Sequence, residues 1–83
     1  MHENPEEPLV WLRWEKSTRY YEVHLHPDLW GKWVLTRVWG RRNSRLGQIR
    51  NRGCESYAEG LRQLATVRTR RERRGYALVK EIL

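Results

Sequence analysis

Phenylalanine is absent from this 83-residue chain, cysteine and methionine occur once each, and proline only three times. With no Phe beside five Trp and four Tyr, a few large rings must fill the core. A single cysteine, Cys54, excludes an internal disulfide and any multi-cysteine zinc site. No apolar run approaches the ~18 residues of a membrane-spanning helix. The N-terminal segment MHENPEEPL is acidic and proline-containing, unlike a secretory signal or transit peptide. These features predict a cytoplasmic protein with no membrane association. Short length limits the fold as well, because such a chain buries only about 60% of its unfolded surface. We expect a loose tail over residues 1–8 and a single domain over 9–83.

Acidic residues are scarce where basic ones are dense. The net charge is +7. Residues 1–36 carry four basic side chains against six acidic ones, whereas 37–74 carry twelve arginines against Glu55, Glu59 and Glu72, a net of +9. Fourteen of the 17 basic residues are arginine, whose planar fork suits phosphate and whose face stacks on rings. Arginine interleaved with Trp and Tyr is the composition of a backbone-directed nucleic-acid binder. An acidic protein partner is the alternative.

The apolar pattern predicts an α+β fold: a small antiparallel sheet of about four to five strands with one helix packed across a face. Leu9–Trp14 reads as a first strand. Arg19–His26 alternates, with Tyr21, Val23 and Leu25 on one face and Tyr20, Glu22, His24 and His26 on the other. Pro27–Gly31 has turn chemistry, so Lys32–Trp39 should return as the second arm of a hairpin. Gly40–Gly47 reads as a polar loop, and Gln48–Cys54 as a fourth, mostly polar strand. Ser56-Tyr57-Ala58-Glu59 is a capping box in which Glu59 should reach back to the Ser56 N–H. The helix behind it runs to about Arg74, with Tyr57, Leu61, Leu64 and Arg68 on one face and Ala58 and Ala65 alongside. Gly75 suits its end. Tyr76–Leu83 can close as an edge strand.

At Trp39-Gly40-Arg41 the chain reads WGR, and its surroundings resemble the WGR domain, a small module of poly(ADP-ribose) polymerases and of short stand-alone bacterial proteins. The likeness extends through Tyr20–Leu25, Trp33–Arg37, Leu46-Gly47-Gln48, the helix leucines Leu61 and Leu64, and Gly75-Tyr76, covering about residues 9–80. It implies an antiparallel sheet with one helix, and no catalytic activity. In the polymerases the module helps hold DNA at a strand break. The roles of the motif Trp, near a terminal sugar, and of the motif Arg would fall to Trp39 and Arg41. Many relatives carry glycine where Asn43 stands, and Asn also accepts a left-handed backbone.

The residues themselves point the same way. Trp39 is open to two readings, a core ring or a stacking surface. Gly40 allows a close backbone approach or a positive φ. Arg41, Arg42 and Arg45 surround the loop, Gln48, Arg50 and Arg52 lie on the fourth strand, and Arg70 and Arg73 lie on the helix. We take these residues, with Trp39 and Gly40, as the candidate nucleic-acid site. DNA is expected ahead of RNA, and a monomer ahead of a dimer burying Trp30 or Trp11.

Chemistry of other kinds lacks support. His24 and His26 share a strand face but have no evident third ligand, so no metal or cofactor is expected. Cys54 precedes Glu55 rather than a cation, so nothing activates its thiol. No glycine-rich phosphate loop opens a helix.

Overall fold

The computed structural model describes residues 7–82, so most of the tail expected over 1–8 lies outside the described residues. Its elements are β1 (Val10–Lys16), β2 (Arg19–Pro27), β3 (Trp33–Arg41), β4 (Gly47–Gly53), α1 (Tyr57–Arg73) and β5 (Ala77–Ile82). They form one five-stranded antiparallel sheet in the order β4-β3-β2-β1-β5, with α1 across one face. Among the described residues no helix is long and apolar enough to cross a membrane.

The core follows from the alternation. Val10, Leu12 and Trp14 of β1 pair directly with Leu25, Val23 and Tyr21 of β2, and all six are buried with Leu35 and Leu64. Directly opposed residues share a face, so this register places every one of them under the helix. On the uncovered face, Thr36 is buried but satisfied: its hydroxyl donates to Asn51 Oδ1 at 2.7 Å and meets His26 Nε2 at 2.8 Å. The hairpin turn is fixed by Asp28, whose side chain accepts from the Trp30 and Lys32 amides, and by Gly31 at φ +79°.

The polar loop expected from Gly40 to Gly47 is shorter than its sequence suggests. β3 runs on to Arg41 and β4 begins at Gly47, so Trp39-Gly40-Arg41 belongs to the strand rather than following it. Gly40 sits between Tyr20 and Gly47 in the sheet, and a Cβ on it would lie 3.1 Å from Gly47 Cα. Close approach, not positive φ, is what requires glycine there. Asn43 does take the left-handed conformation, at φ +66°.

The helix needs two corrections. Ser56 Oγ accepts from the Glu59 N–H at 3.1 Å as expected, but Glu59 accepts from the Glu55 N–H rather than that of Ser56. The inward face is also rotated: Gly60 and Leu64 are buried and Tyr57, Val67 and Arg71 half-buried, whereas Ala58, Leu61 and Ala65 are exposed. Gly60 sets this rotation. A Cβ there would lie 2.6 Å from Leu25 Cδ1, so the helix settles on its side chain-free position. At the other end the Tyr76 N–H donates to the Arg71 carbonyl and the Gly75 N–H to that of Glu72, with Gly75 at φ +86°. This is the paired closure that a left-handed residue permits. The chain then returns as β5 along β1, with a register shift between Arg13 and Trp14.

Candidate nucleic-acid interface

Where β2 starts, β3 ends, β4 starts and α1 finishes, the surface opens into a groove of about 700 Å³. Its floor is aromatic. Tyr21 and Trp39 are direct cross-strand partners, and their rings stack with centroids 5.7 Å apart and planes 13° from parallel. Tyr21 is buried under the helix, while Trp39 is half-buried and lines the groove. Trp39 packs against the core on one side and lines the groove on the other.

Arginines form the walls. Arg37 of β3 lies directly opposite Arg50 of β4, on the same face as Trp39 and its partner Gln48. Like charges directly opposite in a sheet repel. Arg71 reaches up from α1 with its guanidinium carbon 4.2 Å from the Tyr21 ring centre and 5.1 Å from that of Tyr76. Its Nε is buried without a hydrogen-bond partner among the described residues. Arg19, Arg41 and Arg74 complete the rim.

Acidic side chains lie elsewhere. Among the described residues, ion pairs involve only Arg13, His24, Arg42 and Arg68 on the cationic side. None of these lines the groove. On the uncovered sheet face Glu22 takes Arg13 at 2.6 Å and His24 at 2.9 Å, and Glu15 takes Arg13 and Arg42. Burial works against ionisation of Glu22, but hydrogen bonds from His24 and Arg13, with their charges, outweigh it and hold its pKa below the ordinary carboxylate value. Burial and then Glu59 push the Cys54 thiol up, so it stays protonated at neutral pH. Among the described residues no group of three or more His, Cys, Asp or Glu side chains could hold a metal.

The groove gathers Trp39, Gly40, Arg41, Gln48 and Arg50 from the sequence-derived candidates. Arg42 turns away, donating to the Ser17 carbonyl and facing Glu15. Arg45 is exposed on the loop beyond the groove, and Arg52 lies farther along β4 opposite Leu35. Arg70 and Arg73 lie on the outer flank of α1, in a separate hollow of about 440 Å³. Sequence reasoning weighed Arg71 and Arg74 with Arg70 and Arg73 as groove residues, and missed Arg37 and Tyr21. The helix periodicity through Gly60, Leu64, Val67 and Arg71 separates Arg71, at the groove, from Arg70 and Arg73 on the outer flank.

Fold and groove define a small α+β module with an arginine-walled, aromatic-floored surface. The WGR domain family model matches residues 9–82, nearly the whole chain. The chain belongs to the WGR-domain family. The WGR domain is a nucleic-acid-binding module in poly(ADP-ribose) polymerases, a binding rather than a catalytic domain. No curated protein and no solved structure gives a match to this chain.

Proposed function

We propose that this protein is a non-catalytic nucleic-acid-binding module whose ligand is DNA ahead of RNA, held by backbone and strand-end contacts without sequence specificity. One observation carries the reading: the groove assembles arginines that no carboxylate among the described residues pairs with, around a stacked Trp39–Tyr21 floor. Repulsion between opposed Arg37 and Arg50 costs stability, and an anion between them turns it into attraction. In this arrangement Arg37, Arg41 and Arg50 take phosphate oxygens while Trp39 packs against a sugar or base. Arg71, fixed between two tyrosines, offers its donors with little ordering still to be done. Nothing in the fold places a helix for major-groove reading, so affinity should be that of backbone-dominated binding, about 10⁻⁴–10⁻⁶ M at physiological salt.

The test is a fluorescence titration against blunt, nicked and single-stranded DNA at two salt concentrations. Binding that weakens steeply with salt and is reduced in Arg50→Ala supports the reading. Folded protein that binds none of the three at low salt overturns it, and assigns the groove to an acidic protein partner.

A further inference from the structure

The outer flank of α1 presents a second bare cationic surface. Thr66, Thr69, Arg70 and Arg73 follow one helical stripe, and with Ala65 they line the hollow of about 440 Å³. Between the arginines its lining is short side chains only, Ala65, Thr66 and Thr69. The helix is divided by charge. Arg68 is bound to Glu72 and Glu81, whereas Arg70, Arg73 and Arg74 have no carboxylate within ion-pair distance among the described residues.

Arg74 borders both the main groove and this hollow. Its backbone is fixed from three directions: its N–H donates to the Arg70 and Arg71 carbonyls, Lys16 Nζ donates to its carbonyl at 2.5 Å, and the left-handed Gly75 follows. An exposed arginine on an anchored backbone thus stands at the junction of the two surfaces.

We infer that the two surfaces form one continuous track, so that a strand seated at Trp39 passes Arg74 and runs on along Arg70 and Arg73. This rests on the nucleic-acid reading of the groove and extends it to the length of strand bound. From Thr66 to Arg74 the helix advances about 12 Å, enough to extend the track by a few phosphates at most.

The experiment compares single-stranded DNA of about four, eight and sixteen nucleotides, the range of known single-strand site sizes, on the wild type and on Arg70→Ala/Arg73→Ala. Circular dichroism confirms that the variant is folded. The shortest strand fills the groove alone, so both proteins should bind it equally. The longest should bind the double variant roughly tenfold more weakly, with a salt slope smaller by about 1.4. Equal binding of the longest strand by both proteins overturns the track and leaves the groove intact. Equal weakening at every length also overturns it, because the flank would then act only through general charge. Failure of the wild type to bind any length overturns the groove reading itself, and the track with it.

Discussion

Gly60 and Arg37 are two positions where a single side chain decides more than its neighbours do. At Gly60 a methyl group would improve helix propensity by up to about 1 kcal/mol. It would also meet Leu25 Cδ1 at 2.6 Å and Cδ2 at 3.2 Å, and Leu25 is fully buried. Overpacking of this kind costs about 1–3 kcal/mol, so Gly60→Ala should be destabilised by about 1 kcal/mol. In a thermal melt that is a fall of roughly 4–8 °C; an unchanged or higher midpoint would mean that Leu25 repacks freely. Arg37 is the opposite case. Removing it relieves repulsion with Arg50, so Arg37→Ala should gain about 0.2–1 kcal/mol of stability while losing affinity for DNA. A variant that is both more stable and a poorer binder would show that the pair is maintained for its ligand rather than for the fold. Loss of stability with unchanged affinity would exclude that.

At the scale of the elements, the helix ends and the strand pairings carry the stability that can be tested most directly. Ser56→Ala removes the acceptor for the Glu59 N–H and should cost about 1 kcal/mol, read as a lower denaturation midpoint. On the uncovered face of β1 and β2, Glu22 gives the fold a pH dependence. Its folded pKa is depressed, so its contribution is present above the ordinary carboxylate value and disappears as pH falls through the folded one. Stability should therefore decline on acidification from about pH 4 downward, and Glu22→Gln should flatten that decline. An unaltered acid limb in Glu22→Gln would assign the loss to other carboxylates. The same elements mark how far the sequence could be read. Alternation in Arg19–His26 gave the buried trio Tyr21, Val23 and Leu25, and the capping signal at Ser56 gave the helix start. The inward face of α1 was misread because Leu61 is apolar and Gly60 is not, yet the contact with Leu25 selects the smaller residue. The opposition of Arg37 to Arg50 was not legible at all. It depends on how β3 registers against β4, which no local pattern states.

The whole molecule separates its charges by surface. Its carboxylates Glu15 and Glu22 engage Arg13, His24 and Arg42 on the uncovered sheet face, while the groove arginines remain without such partners among the described residues. A net charge of +7 would draw any polyanion to the protein in general. The separation makes a sharper claim, namely that attachment is local. Arg42→Ala and Arg50→Ala change the net charge by the same amount, so a diffuse field would respond to both alike. If contact occurs in the groove, Arg50→Ala should lower the salt slope of DNA binding by about 1 and weaken affinity, while Arg42→Ala leaves both unchanged. Arg42 stands only two residues beyond Trp39-Gly40, so nearness in sequence cannot account for such a difference. Its guanidinium already faces Glu15, whereas Arg50 is paired across the strands with another arginine. Matched losses in the two variants would remove the groove as the point of contact and leave only the overall field. A loss confined to Arg50 would fix the strand on the helix-covered side of the sheet, beside Trp39.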